Sequence, residues 1–533
     1  MKAFAGLLDR LVYTPQRNAK LRLMVDYLRA TPDPDRGFAL AALTDGLAVR
    51  LPVRRTIAEL MKRRFDAELF RMSRDYVGDT AETVALVWPA PSGGETSGRE
   101  PLHLRDVAQA IRTMDRSDLA ARLEAWLDRL DAVERWALLK LLTGALRVGV
   151  SARLAKTAVA ELGGRPVSDI EEVWHGLEAP YHGLLAWLEG TGPRPDPAGA
   201  PVFRPPMLAH PIEPSEWATL DLAEYAVEWK WDGIRVQLAA GRNEARLYSR
   251  TGDDIGHSFP EILAGATEEA VLDGELLVVR EGVVAPFNDL QQRLNRRQVT
   301  RRMLADFPAH LRLYDALMLE GEDLRPLPLL ERRRRLEAWH AHYRPPLTDL
   351  SEQVAVADKA TLDALWSGTR AAGIEGLMLK RWQSPYIAGR PKGHWLKWKR
   401  APLSIDCVLM YAQRGSGKRS SFYSDYTFGL WTEDPQGQPA LVPVGKAYSG
   451  YSDAELVRLD RWIRGHTTER FGPVRAVEPG LVLEVLFDAV QRSPRHKSGI
   501  AMRFPRIARI RWDKPAAEAD RLSSLSNLLS DPG

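Results

Sequence analysis

One Pro/Gly-rich stretch, "EGTGPRPDPAGAPVFRPPM" at residues 189 to 207, separates two hydrophobic patterns that no single fold class accommodates. Before it, apolar residues recur at three- and four-residue spacing with few β-branched runs, as with Leu138, Leu142 and Leu146 in "WALLKLLTGALRVGV". "SARLAKTAVAELGG" adds Ser151 as an N-cap and Gly163-Gly164 as a stop. After the stretch the period becomes two: Ile234, Val236 and Leu238 alternate with Arg235 and Gln237. The chain also has 533 residues, more than one core usually supports. A multidomain protein is expected: an all-α region over 1 to 200, a mixed α+β domain over 206 to 400, and short strands forming a small β-barrel over 401 to 533.

Composition narrows the class. No apolar run approaches the length of a membrane helix, and Asp9 and Arg10 interrupt the N-terminal apolar residues too early for a secretory signal, so a cytoplasmic protein is expected. The single cysteine, Cys407, excludes an internal disulfide and any cysteine-rich zinc site. The net charge of +4 permits a polyanionic partner without requiring one. Basic runs such as "ERRRRLEAWH" (331 to 340), "RRQVTRR" and "QRSPRHKSG" read more readily as solvated faces than as binding patches. "PAPSGGETSGRE" (89 to 100) reads as an exposed loop, and "RGSGKRS" (414 to 420) fails as a phosphate loop because Ala412 and Arg419 stand where Gly and Ser or Thr are needed.

The chemistry concentrates around "EWKWDGIRV", where Lys230 lies between Trp229 and Trp231 with Glu228 and Asp232 two residues away on either side. Lysine is a nucleophile only as the neutral amine, and flanking tryptophans are expected to help desolvate it. Asp232-Gly233 and Asp273-Gly274 taken alone read as hairpin turns. In "HWLKWKR", period two sends Trp395, Lys397 and Lys399 to one face, a better phosphate clamp than a packing surface.

Taken in order, K-x-D-G-x-R at Lys230, Asp232, Gly233 and Arg235, S-R-x-G at Arg250, D-G-E at Glu275, Y-D at Tyr314 and Asp315, E-G-L-M-L-K from Glu375, and W-L-K-W-K at Lys397 and Lys399 resemble the nucleotidyltransferase motifs of ATP-dependent DNA ligases. "RFPRIARIRWDK" (503 to 514) is similar to their C-terminal motif, so the resemblance covers nearly the whole chain. It implies a helical DNA-binding domain, an adenylation domain and a C-terminal barrel of OB-fold type. It also implies an enzyme that uses ATP and Mg²⁺ or Mn²⁺ to seal nicks in duplex DNA through lysyl-AMP and 5′-adenylated DNA.

The same resemblance assigns Lys230 as the catalytic nucleophile. It implies that Glu228 reads the adenine amino group, that Arg235 and Glu275 hold the ribose, that Tyr314 stacks on the base, and that Asp232 completes the nucleotide site. Arg250, Arg390, Lys397 and Lys399 face phosphate, Glu275 and Glu375 hold metal, and Arg511, Asp513 and Lys514 orient the pyrophosphate. A monomeric, nucleoid-associated bacterial repair ligase is the expected setting. RNA ligases and RNA-capping nucleotidyltransferases share the core, while a non-catalytic nick-binding protein has no use for Lys230. An NAD-dependent ligase is excluded by the lone cysteine. Arg147, Arg153 and Lys156 are candidate phosphate contacts in the helical region.

Overall fold

A computed structural model describes residues 1 to 533 apart from 48, 50, 90–99, 145, 198–200, 242–243, 295, 297, 369–373, 400–401, 415–422, 448–452, 494–495 and 530–533. Most of the loop at 89 to 100 and of "RGSGKRS" therefore lies outside the described residues. The chain forms two compact units, one of Met1–Leu23, Leu47–Val150 and Ala401–Gly533, the other of Met24–Gly46 and Ser151–Arg400. No helix among the described residues is long and apolar enough to cross a membrane.

In the first unit, the described parts of 2 to 23 and 53 to 142 are mainly helical. Lys2–Tyr13 buries Phe4, Leu7, Leu8 and Leu11 on one stripe. Ala132–Leu142 starts with a capping box between Asp131 and Glu134 and is buried on every side from Arg135 to Leu142, while Leu146 lies beyond its end, so only Leu138 and Leu142 of the stripe read from the sequence belong to it. The C-terminal region is β-rich. Its long strand Leu403–Arg414 pairs with Val482–Phe487 along its first half and with Val474–Val477 near its end, while Tyr423–Glu433 covers its other edge. Changing partners along one strand bends the sheet around a core that includes Cys407, Phe428, Leu483 and Phe487.

The second unit holds two sheets. Among the described residues, one has four strands in the order His210–Pro211, Trp395–Lys399, Ile374–Arg381, Tyr225–Trp231. The other is built on Ala245–Ser249, Ile234–Ala240, Ala270–Arg280 and Ala309–Leu319 in that order. The hairpin after Arg280 turns at Glu281 and Gly282, both with positive φ, as a two-residue turn requires. Asp232-Gly233 is not a hairpin turn, because Tyr225–Trp231 pairs in the first sheet and Ile234–Ala240 in the second. A Cβ on Gly233 would sit 2.5 Å from the Leu276 carbonyl oxygen, so only glycine fits this crossing. Asp273-Gly274 also departs from the turn reading: both residues lie inside the strand Ala270–Arg280, where Asp273 is buried.

Helices from the chain before the Pro/Gly-rich stretch belong to this unit. Ala152–Leu162 is capped by Ser151, whose side chain accepts from the Leu154 amide, and it ends at Gly163. The stretch itself is anchored: Phe203 and Met207 are buried against Tyr248, and the Tyr248 hydroxyl donates to the Pro201 carbonyl at 2.6 Å. The run of arginines in Leu329–Tyr343 is only partly a solvated face. Arg334 and Arg335 pair with Glu331 at the surface, whereas Arg332 is fully buried and grips Asp315 through two bonds of 2.8 and 2.9 Å. A guanidinium tolerates that depth because a bidentate carboxylate satisfies its charge and fork geometry.

Candidate active site

Strand register builds the site. Lys230 lies opposite Gly376, and Gly376 lies opposite Lys399; one step along, Glu228, Met378 and Lys397 form the next row, and Ala226, Lys380 and Trp395 the third. Alternation sends all these positions to one face of the sheet. Gly376 stands between the two lysines and puts no side chain between them. Glu375 would point away by alternation, but a register shift between Ile374 and Gly376 breaks the pattern there. Its Oε2 lies 2.5 Å from Lys230 Nζ and 3.0 Å from Lys399 Nζ.

The tryptophans serve differently from the desolvating role expected of them. Trp229 occupies the opposite face of the strand, in a cluster with Leu377, Leu396 and Trp398, and Trp398 stacks on Trp366 at 5.2 Å. Trp231 lies under the Arg312 guanidinium at 4.3 Å. A period of two places both on the side away from Lys230, so they fix the strand rather than cover the lysine amine. Trp395, on the lysine face, packs edge-on against Tyr314 and Tyr386.

The second sheet supplies the other wall. Arg235 and Glu275 are opposite one another in register. Arg235 donates to Asp273 Oδ2 at 2.6 Å, to the Met207 carbonyl at 2.6 Å and to the Tyr386 hydroxyl at 3.0 Å. Asp273 also accepts from Tyr386 at 2.5 Å and from Gln237 at 3.0 Å. Asp273 thus anchors Arg235, a part that the motif D-G-E does not reveal on its own.

Charges converge where the sheets meet. Burial raises the Glu275 carboxyl, and the nearby Glu375 and Asp232 raise it further against the pull of Lys230 and Arg235, leaving it at about 7. Burial also acts to raise Glu375, but Lys230 and Lys399 overcome that and hold it at about 2. Lys397 is lowered by burial and by the neighbouring cations Lys399, Arg390, Lys230 and Arg250. Arg250 is lowered by burial and by Arg235 and Arg390. These mutual fields place Arg250 and Arg390 in the same cationic group as the three lysines. A cluster of Lys230, Lys397, Lys399, Arg250 and Arg390 around Glu275, Glu375 and Asp232 suits a polyphosphate.

Three expected site residues lie in the other unit. Arg511 bonds to Asp513 at 3.0 Å and reaches Asp406 at 3.3 Å, and Lys514 pairs with the same Asp406 oxygen at 2.8 Å.

Residues 206–399 match the model of the ATP dependent DNA ligase domain, and residues 419–514 that of the ATP dependent DNA ligase C terminal region. The Probable DNA ligase of Koribacter versatilis (strain Ellin345) is 36% identical over 74% of this chain and 72% of its own length. DNA ligase 1 of Korarchaeum cryptofilum (strain OPF8) is 30% identical over 99% of this chain and 98% of its own. The chain belongs to the ATP-dependent DNA ligase family. The solved structure of Pmar-Lig_PreS3 shares the fold of the ligase, with a TM-score of 0.57 at 17% identity over 95% of this chain and 99% of that one.

One residue of the ligase escaped sequence reasoning although it stands inside a quoted motif. Lys380, the last letter of E-G-L-M-L-K, is 2% exposed, lies 2.9 Å from the equally buried Glu228, and sits 4.0 Å above the Tyr314 ring. Its parity with Gly376 and Met378 was the available signal, since it puts a lysine on the face that carries Lys230.

Proposed function

We propose that this ATP-dependent DNA ligase seals nicks in duplex DNA, with Lys230 as the nucleophile. The observation that carries this reading is Glu375 Oε2 lying within hydrogen-bond reach of both Lys230 and Lys399, beside Lys397, Arg250 and Arg390. Lys230 Nζ, as the neutral amine, attacks the α-phosphorus of ATP; an N–P bond forms, the bond to the bridging oxygen breaks, and pyrophosphate leaves with that electron pair. Phosphoryl transfer needs positioning and neutralisation of charge above all, which the cation cluster supplies. The AMP then passes to the 5′-phosphate of a nick, and the 3′-hydroxyl displaces it.

Other roles follow position by position. Glu228 reads the adenine amino group, Tyr314 stacks on the base, and Arg235 and Glu275 hold the ribose with Asp232 beside them. Lys397, Lys399, Arg250 and Arg390 face phosphate, and Arg511, Asp513 and Lys514 orient the pyrophosphate from a C-terminal barrel of OB-fold type. The domains follow the boundaries 1 to 200, 206 to 400 and 401 to 533, and the enzyme acts as a monomer in DNA repair.

Among the described residues no group of three His, Cys, Asp or Glu is arranged to hold a metal alone. Glu275 and Glu375 are hard oxygen donors suited to Mg²⁺ or Mn²⁺, with the remaining ligands taken from phosphate and water. When bound, the cation neutralises phosphate charge. The protein incubated with α-labelled ATP and Mg²⁺ is expected to carry covalent AMP on the peptide containing Lys230; label on another residue refutes the assignment.

A further inference from the structure

Lys380 and Glu228 form a buried ion pair that the transfer chemistry does not use. The two belong to neighbouring rows of one sheet face, each is about 2% exposed, and Lys380 Nζ lies 2.9 Å from Glu228 Oε2. The ammonium is boxed by aromatic faces, 4.0 Å from the Tyr314 ring centre and 4.8 Å from that of Trp395. Asp315 and Arg333 are the further charges that act on it, with opposite signs. Removing water from both ions is costly, and close pairing at best offsets that cost, so stability alone is a weak reason for the pair. The pair sets a fixed positive charge against one oxygen of the Glu228 carboxylate.

That arrangement has chemical content at a base-reading position. An ionised carboxylate only accepts hydrogen bonds, whereas a protonated one also donates. Adenine presents an amino donor where guanine presents a carbonyl acceptor. We propose that Lys380 is a specificity-determining residue which, by pairing with Glu228, keeps that carboxylate an acceptor and so selects ATP over GTP. This rests on the reading of Glu228 as the group facing the adenine amino group. Without Lys380, the buried Glu228 carboxyl has lost its ion-pair partner, and burial favours the protonated form, whose O–H turns towards guanine O6 and loses the distinction. Lys380 acts through Glu228 and is a positioning residue, not a catalytic one.

The test is the ratio of kcat/KM for self-nucleotidylation with α-labelled ATP and with α-labelled GTP, over pH 6 to 9. Lys380→Met is expected to lower the ATP preference about tenfold or more, as loss of a matched polar contact does, with the preference recovering as pH rises and the carboxyl ionises. Lys380→Gln, which keeps a donor of similar size without charge, should do the same and stands in if the methionine variant fails to fold. Lys380→Arg should retain the preference. In a Glu228→Gln background, Lys380→Gln should change the ratio less than about twofold, because the group it acts on no longer titrates. If Glu228→Gln alone leaves the ratio intact, Glu228 does not read the base and the underlying assignment fails. If Glu228→Gln lowers the ratio while folded, active Lys380→Met or Lys380→Gln keeps it, only the role of Lys380 is overturned.

Discussion

Lys230 Nζ lies 2.5 Å from Glu375 Oε2. The pair joins two strands of one sheet through a side chain that a register shift has re-aimed, and Lys399 shares the same oxygen. Lys230, the proposed nucleophile, is therefore oriented by the fold itself.

The first expectation concerns that amine. Lys230→Ala removes it, and Lys230→Arg replaces it with a guanidinium that stays protonated and is no nucleophile. Both variants should yield no covalent AMP, measured by gel after labelling with ATP, while nicked-duplex binding persists. Covalent AMP on either variant would move the reaction to another residue.

The two carboxylates give opposite pH signatures. Glu375 is held at about 2, so its contribution to stability is present above the ordinary value of 4.5 and is lost as pH falls towards 2. Glu275 is raised to about 7, so its contribution is present below 4.5 and is lost as pH rises through 7. Urea midpoints of the ATP-free protein should fall between pH 5 and 7.5, and Glu275→Gln should flatten that segment. An unchanged slope in the variant would place the titration elsewhere.

Arg511 and Lys514 converge on Asp406, and the pyrophosphate they are proposed to orient exists only in the first step. Alanine at either position should slow self-adenylation by about tenfold or more, yet leave sealing of a nick that already carries 5′-AMP near the unmodified rate. Equal losses on both substrates, followed by product gels, would contradict a role confined to pyrophosphate.

Arg332 and Asp315 are both fully buried. Arg332→Met strands the Asp315 charge and should destabilise the protein by about 3–5 kcal/mol; adding Asp315→Asn should restore part of the loss. Urea unfolding reports both, and additive effects would mean that the two side chains do not act as a pair.

Arg147 and Arg153 are exposed, whereas Lys156 is buried over the Trp174 ring at 4.8 Å, its ammonium lowered by burial to about 8. Alanine at both arginines should weaken nick binding and reduce the slope of log affinity against log salt by about 0.9 for each lost phosphate contact. Lys156→Ala should leave that slope unchanged. Because its charged form is disfavoured in the fold, Lys156 should instead let stability rise between pH 8 and 10.5 in the parent protein. A salt series of binding isotherms distinguishes the exposed pair from the buried residue.

Local pattern made much of this legible and partner identity made the rest opaque. Alternation in "HWLKWK" correctly set Trp395, Lys397 and Lys399 on one face, and Ser151 marked a helix start, because both depend on neighbours in sequence. Trp229 and Trp231 were misread for want of the same arithmetic, which puts them behind Lys230. Arg332 and Lys380 could not be separated from surface cations by composition. Their counter-charges, Asp315 and Glu228, lie 17 and 152 residues away, and only pairing across strands and helices brings them together. Asp273 is similar: its hold on Arg235 depends on the sheet register.

The crossing at Asp232-Gly233 has a mechanical meaning. The chain leaves one sheet and joins the other within two residues of Lys230, and Gly233 is pressed against the Leu276 carbonyl with no room for a side chain. The sheets are tied a second time, where the Ser351 amide donates to the Leu313 carbonyl and the Val354 amide to the Val227 carbonyl. The strand that carries Lys230 is thus braced to the second sheet at two places, and a strand braced twice cannot swing independently of its neighbour.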